Sequence, residues 1–398
     1  MTGVPRLSNE LSRKRKATME EFNINEIVEK IMECTQNEYK KLKTLNVMIL
    51  GKTGVGKSTL INNMFNEELA ETGQGKPVTQ SIRKLTKPGL PLSIYDTPGV
   101  ELAGKNGVDS LLDEVTQEID KGIRSGNIDE AIHCIWYCIS TPSNRFETAE
   151  KNILQKFLGA TSKYDVPVIF VLTQSFSKSK AKELKSEIAK ENLPVVNIVP
   201  VLAADYPIDD EYVAKAYGLD RLAEVTYSVV PEALQKTFVA VQKANLELKR
   251  KKAQAVVATA MTAAAATGAA PIPFSDAALL VPAQISMLAG ITAVFGLPIE
   301  KGTIAAILSS TIGTTGTTVL GKTVVANLLK FIPGVGSAAG GVISGGTAAT
   351  LTAALGEAYI SIMLMICKGD LKLSELDTAE GKQKVQQIFT KELKISRN

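Results

Sequence analysis

The stretch that most constrains this chain is NVMILGKTGVGKSTLINNMF, residues 46–65. An apolar run ends in a glycine-rich turn, the turn ends in Lys-Ser-Thr, and apolar residues at helical spacing follow. Gly51, Gly56, Lys57 and Ser58 fit the spacing G-x-x-x-x-G-K-[ST], a phosphate-binding loop between a buried parallel strand and a helix. A triphosphate concentrates negative charge, so many donors must converge on it at short range. Glycines let the backbone take φ > 0 and turn its N–H groups inward as a nest. The helix that follows adds its positive N-terminal end. Lys57 would reach the β- and γ-phosphates and the Ser58 hydroxyl would ligate Mg²⁺. Gly51, Lys52, Thr53, Gly54, Val55, Gly56, Lys57, Ser58 and Thr59 are the candidate nucleotide-binding run.

The other parts of such a site follow in order. YDTPGV at 95–100 ends the apolar run PLSI. Asp96 would hold Mg²⁺ through water, and Gly99 would offer its N–H to the γ-phosphate. Between lies ETGQGKPVTQSIRKLT, rich in Gly and Thr and poor in apolar residues, as a mobile switch should be. Thr79 is its candidate for capping the Mg²⁺; the other reading is a threonine that opens the strand SIRKLT.

Candidate strands fall at 45–50, 82–86, 92–96, 132–139, 166–172 and 196–202, with helical patterns at 57–66, 108–124, 148–158 and 178–190. This alternation predicts an α/β domain with a doubly wound, mostly parallel sheet over 45–230. The 82–86 and 92–96 pair would form its antiparallel edge hairpin. Trp136, the chain's one tryptophan, is expected in the core. The chain is 398 residues long, enough for more than one domain, and its net charge of +4 gives no mandate for nucleic acid. Its four cysteines, Cys34, Cys134, Cys138 and Cys367, with a single His133, build no metal site and read as reduced thiols in a cytoplasmic protein. Residues 1–44 read as a basic tail carrying RKRK, then an amphipathic helix with Asn23 and Glu26 at capping-box spacing.

GKTGVGKST, a lone switch threonine, DTPG and a later strand ending in Thr resemble the translation-factor-related, Era-like GTPases over about residues 45–230. HCIWYCIS…NRFETAE, VIFVLTQS and VPVLAAD resemble the subgroup in which a helical, Ala/Gly-rich C-terminal domain of unknown function follows; the immunity-related GTPases are a more distant likeness. The resemblance implies GTP/GDP as ligand with Mg²⁺, and GTP hydrolysis. Two motifs depart from it. The guanine-reading Asn/Thr-Lys-x-Asp is Thr173-Gln174-Ser175-Phe176 here, so Gln174 replaces the lysine that covers the base and Phe176 the aspartate that accepts from guanine N1 and N2. That loss should weaken discrimination against adenine. Leu202-Ala203 stands for the last base-contacting motif; the Ala203 N–H could meet O6, and Asp205 is near enough in sequence to supply another carboxylate.

The second departure is catalytic. The glutamine that orients water is replaced by Val100, and the asparagine that holds potassium in some relatives is replaced by Gly54. Glu101 reads as a solvated loop residue or a base. Arg145, beyond the strand CIWYCI, should lie near the nucleotide edge, as an arginine finger in cis or across a homodimer, or as a plain loop arginine. Slow hydrolysis by the monomer is expected, with Lys57, Thr79, Gly99 and Arg145 as its catalytic candidates.

Past residue 230 the pattern becomes helical. Residues 231–270 read as one long connecting helix opened by Pro231, and 271–398 as an Ala/Gly-rich all-α domain. Ser275 would cap a helix that holds Pro282, and the tail DTAEGKQKVQQIFTKELK would close the chain as an amphipathic helix. Residues 277–299 and 331–356 carry no charge, and Gly336/Gly340 and Gly341/Gly345 have the spacing that lets helices approach closely. Aromatic belts are missing, and Lys301, Lys322, Lys330 and Glu357 interrupt. A compact bundle able to dock on or enter a membrane through residues 271–367 is expected. Three functions stay open: a regulatory GTPase that switches its helical domain, a nucleotide-gated membrane effector, and, by analogy with Era-like relatives alone, ribosome assembly. Nucleic acid is not expected as a partner, since no basic module follows the GTPase region.

Overall fold

The computed structural model describes residues 24–66, 69, 82–86, 89–99, 104–143, 148–267, 276–297, 300–312, 345–376 and 378–395. The chain divides into two compact units, residues 41–249, and residues 1–40 together with 250–398.

The first unit is built on a six-stranded sheet. In chain order come β1 (Leu45–Gly51), α2 (Lys57–Met64), β2 (Arg83–Thr86), β3 (Leu92–Asp96), α3 (Gly104–Arg124), β4 (Cys134–Ser140), α4 (Thr148–Thr161), β5 (Val168–Thr173), α5 (Lys178–Lys190) and β6 (Asn197–Pro200). A small hairpin of β7 (Tyr206–Pro207) and β8 (Val213–Ala214) follows, then α6 (Leu219–Val229) and α7 (Glu232–Val241). α1 (Ile24–Lys40) precedes them all. The strand order is β2-β3-β1-β4-β5-β6, parallel except for β2, which pairs antiparallel with β3.

The strand sequences explain the layering. β1 and β5 are buried at every residue, as interior parallel strands covered on both faces must be. Along β1, Leu45, Val47 and Ile49 enter one core with Leu60, Ile61 and Met64 of α2, while Met48 and Leu50 enter the other with Val115 and Ile119 of α3. β2, RKLT, is largely exposed, a charged edge of the kind that discourages further strand pairing. Trp136 is fully buried, stacked on Phe65 with ring centroids 5.8 Å apart, and its Nε1–H donates to Thr226 Oγ1 at 3.2 Å. Strands and helices of the sheet fall where the hydrophobic pattern puts them. The hairpin and α6 have no counterpart in the sequence reading.

The single helix expected over 231–270 is two. α7 stops at Val241, and α8 (Leu246–Thr267) starts after a joint at 242–245. Gln242 Oε1 accepts from the Asn245 N–H at 2.8 Å, its Nε2 donates to the Asn245 carbonyl at 3.0 Å, and Asn245 Oδ1 accepts from the Leu248 N–H at 2.7 Å. These side chains offer the backbone local partners that compete with helix, and Asn245 caps α8. Lys249 is buried, with Nζ donating to the carbonyls of Val239 at 2.7 Å and Ala240 at 3.1 Å. A cation there meets the C-terminal carbonyls of α7.

The second unit is helical among the described residues: α1, most of α8, α9 (Asp276–Phe295), α10 (Lys301–Ile312), α11 (Gly345–Lys368) and α12 (Ala379–Ile395). α1 packs on α9 and α10 through Ile27, Val28 and Ile31, so this helix, which precedes the six-stranded sheet in sequence, belongs to the same core as the C-terminal ones. Glycines set the close approaches. A Cβ on Gly290 would stand 2.9 Å from Val256 Cγ1, and one on Gly356 2.5 Å from Val257 Cγ2. Small-residue packing therefore operates here at these glycines of α9 and α11; Gly336, Gly340 and Gly341, and Ser275, Lys322 and Lys330, lie outside the described residues. Pro282 lies within α9. Buried polar groups pair: Gln284 with Thr352 at 3.4 Å and Thr292 with Tyr359 at 2.8 Å. α12 lays Val385 and Phe389 into the core.

Candidate functional site

The carboxyl ends of β1, β3, β4 and β5 assemble the site. Register places Gly51 beside Cys138, Ile49 beside Asp96, and Ser140 beside Thr173. From β1 the loop 52–56 climbs to α2. Gly51, Gly54 and Gly56 all have positive φ, 146°, 72° and 94°. At Gly51 space also forbids a side chain, since a Cβ would stand 2.6 Å from the Cys138 carbonyl oxygen. Val55 is buried and pins the loop to the core beneath. Gly56 is the N-cap of α2 and leaves its first N–H groups without a side-chain cap. Lys57 Nζ arches back over the loop, donating to the carbonyls of Gly51 at 3.0 Å and Lys52 at 3.2 Å. Lys52 itself pairs with the buried Glu150 at 3.4 Å. Thr53, Gly54 and Thr59 are exposed and Ser58 is half-buried.

Asp96 ends β3 and is buried. The next residue ties the turn down: Thr97 donates to the Ile49 carbonyl with both its N–H (3.2 Å) and its Oγ1 (3.1 Å). Gly99 is thereby laid against the phosphate loop. A Cβ there would overlap Thr53 Oγ1 and stand 2.6 Å from the Thr53 amide nitrogen. Burial pushes the Cys138 thiol up to about 12, with Lys57 pulling it down and Asp96 pushing it up, so both charges lie close to one buried sulfur. A glycine cradle, one ammonium, the Ser58 hydroxyl on the first turn of α2 and a buried carboxylate make a donor set that fits a magnesium nucleoside triphosphate. Ser58 and Asp96 would hold the ion, which neutralises phosphate charge when bound. Thr79, Val100, Glu101 and Arg145 lie outside the described residues.

The side of the site where the resemblance puts the base is formed by the ends of β5 and β6. Thr173 is buried and donates from Oγ1 to the Ile139 carbonyl at 3.1 Å. Gln174 takes φ 53°, and its side chain bridges two elements: Oε1 accepts from Ser140 Oγ at 3.0 Å and Nε2 donates to the Gly54 carbonyl at 2.8 Å. Phe176 turns its ring to Tyr206 of the β7–β8 hairpin, centroids 4.3 Å apart and planes at 44°. Ala203 is half-buried, and Leu202 exchanges both backbone hydrogen bonds with Tyr217 at 3.0 Å. Asp205 is committed to the hairpin: Oδ2 accepts from Lys215 Nζ and Oδ1 from the Ala216 N–H, each at 2.8 Å. The Lys215 bond first, then the amide, hold its carboxyl below the usual range. Thr97, Ser140 and Tyr217 are site residues that the sequence reading missed. Thr97 is flagged in hindsight by its place inside DTPG; Ser140 and Tyr217 carry no local signal and become visible through sheet register and the hairpin.

Residues 46–199 match the family described as 50S ribosome-binding GTPase, and residues 234–394 match a Domain of unknown function (DUF697). Among curated proteins the chain is similar to Cell division control protein 10 of Candida albicans, at 27% identity over 50% of this chain and 60% of that protein. It is also similar to the chloroplastic GTPase ERA1 of Zea mays, at 30% identity over 41% of this chain and 38% of that protein. The matched part thus spans at most 60% of either relative's length. Among solved structures it is similar to Era in complex with MgGDPNP and nucleotides 1506–1542 of 16S ribosomal RNA, at 23% identity and a TM-score of 0.35, over 53% of this chain and 67% of that one.

Proposed function

We infer that this chain, which joins a P-loop GTPase domain of the Era-like kind to a DUF697 helical domain, is a GTP-binding switch that hydrolyses GTP slowly and alters its helical domain with nucleotide state. One observation carries the reading. α2 has the phosphate loop at one end and the joint before α8 at the other. Past its C-terminus the Asn66 N–H donates to the Val241 carbonyl at 2.9 Å, Asn66 Nδ2 to the Ala240 carbonyl at 2.8 Å, and the Lys243 N–H to the Met64 carbonyl at 2.9 Å. A helix of eight residues, about 12 Å long, thus separates Lys57 from the joint. Phosphates pulling on the first turn of a rigid rod displace its far end. The chain leaving Asn66 is the same segment that leads to the expected switch threonine, Thr79.

Hydrogen exchange tests this. With a non-hydrolysable GTP analogue in place of GDP, amides of 240–267 should change protection, and Asn66→Ala should reduce that change without removing nucleotide binding. Identical exchange in both states would refute the switch.

A second reading, a nucleotide-gated membrane effector, is favoured by one stretch. Ala348–Lys368 of α11 is long and apolar enough to cross a membrane by length and composition, although 56% of it is buried within the helical unit. Under this reading the protein is cytoplasmic and reaches a membrane through 271–367 when triphosphate is bound. Liposome flotation with and without the analogue separates the two. The expectation that nucleic acid is no partner gains no support, since the Era chain cited above is bound to ribosomal RNA.

A further inference from the structure

Among the described residues, the base side of the site offers no free carboxylate. Among the described residues of this wall, 173–177, 201–206 and 217, Asp205 is the only acid, and both its oxygens are engaged by Lys215 and the Ala216 amide. Where the resemblance places an aspartate, Phe176 presents a ring, and the backbone that carries it is held. Its backbone N–H donates to the Gln174 carbonyl at 2.8 Å, and the neighbouring Ser175 is fully buried, with its carbonyl accepting from the Tyr217 hydroxyl at 3.0 Å. Tyr206, the ring's partner, is fixed in a hairpin by the pairs Tyr206–Ala214 and Pro207–Val213. Two aromatic rings in mutual contact therefore stand at the end of the wall where its described residues offer no free charged acceptor. Aromatic faces attract any purine and are indifferent to its exocyclic groups. The Ala203 amide still offers a donor suited to O6.

We propose that this wall holds the purine by aromatic contact and leaves its N2 amino group unread, so that GTP and ITP bind almost equally. Phe176 and Tyr206 are then specificity-determining residues, and the specificity they set is broad. ITP keeps O6 and N1–H and lacks only the 2-amino group, so it isolates the group in question. The proposal rests on the GTP-binding reading above, and the experiment separates the two.

Full-length protein with Mg²⁺ and a fluorescent GTP analogue is titrated with unlabelled GTP and with ITP. The two should compete within about threefold of each other. Phe176→Asp should raise the preference for GTP to tenfold or more, because a hydrogen bond to a charged acceptor is worth roughly that factor or above. Tyr206→Ala should weaken both nucleotides by a similar factor and leave their ratio unchanged. Should Phe176→Asp fail to fold, the wild-type ratio and Tyr206→Ala decide. A wild-type preference for GTP over ITP of tenfold or more overturns the proposal while leaving GTP binding intact. A protein that binds neither nucleotide overturns the GTP-binding reading and the base claim with it.

Discussion

Gln174 reaches from the end of β5 to the phosphate loop, donating its Nε2 hydrogen to the Gly54 carbonyl at 2.8 Å. Its Oε1 accepts from Ser140 at the end of β4, so one neutral side chain ties three elements of the site together. The resemblance has a lysine here. Gln174→Ala breaks two hydrogen bonds, each worth about 1 kcal/mol net. Affinity for GTP and ITP alike should fall by about tenfold, while Gln174→Lys, which can still donate to Gly54, should retain most of it. Equal affinity in the alanine variant would show that the loop keeps its shape without the bridge.

Gly99 supplies a second test, and here the mechanism is steric. A methyl group at this position meets Thr53 at both its hydroxyl and its amide nitrogen. The obstacle is partly backbone, so it cannot be relieved by a rotamer change alone, and the loop or the turn after Asp96 must move. Gly99→Ala should lower triphosphate affinity more than diphosphate affinity, because the resemblance puts Gly99 at the γ-phosphate end. Thermal stability should fall as well, because the contact with the Thr53 amide nitrogen must be relieved with or without nucleotide. Unchanged GTP affinity would place the γ-phosphate away from Gly99.

How much of this was legible in the sequence depends on how local each signal is. The strand–turn–helix that carries Gly51, Lys57 and Ser58 was legible, because fixed spacing within one local unit suffices to place it. The parallel strands were legible because burial on two faces leaves unbroken apolar runs such as VIFVLT. The joint at 242–245 was not, since helical periodicity persists across it and the break comes from the mutual bonding of Gln242 and Asn245. α6 was hidden behind Gly218, whose φ of 85° caps it directly after the short hairpin. The commitment of Asp205 to Lys215 could not be read either, because it depends on the hairpin folding the two together.

His133, the only histidine, gives a pH signature that no other imidazole can obscure. Its Nδ1 accepts from the Asn46 N–H at 3.0 Å and its Nε2–H donates to the Ile128 carbonyl at 2.9 Å. Burial holds its pKa below the usual imidazole range, against the pull of those bonds and of Asp129. The fold therefore favours the neutral ring. That stability is fully present above the unfolded value of about 6.5, and it is lost as pH falls through the lower folded value. Asp129, held below the usual carboxylate range chiefly by the Thr44 amide, loses its share only in stronger acid. Denaturant midpoints should drop between pH 7.5 and 5.5 in the wild type, and His133→Gln, which can keep both bonds, should flatten that drop. Parallel curves for the two proteins would remove His133 as the cause.

The last prediction concerns turnover. In-line attack on a γ-phosphate needs a positioned water and a cation opposite the growing charge. The Val100 side chain has no polar atom to hold water. Lys57 arches over the loop onto the Gly51 and Lys52 carbonyls, and the resemblance gives it to the β- and γ-phosphates on the loop side, not to the attacking water. A monomer so equipped should be slow. If a second GTPase domain supplies the missing cation, phosphate release per molecule should rise with protein concentration. Arg145→Ala should then abolish most of the rise and leave GTP affinity within about twofold, because an arginine that acts on the developing charge contributes little to ground-state binding. Initial rates over a hundredfold range of protein concentration read this directly. A fast rate independent of concentration would mean that each chain carries its own complete catalytic set.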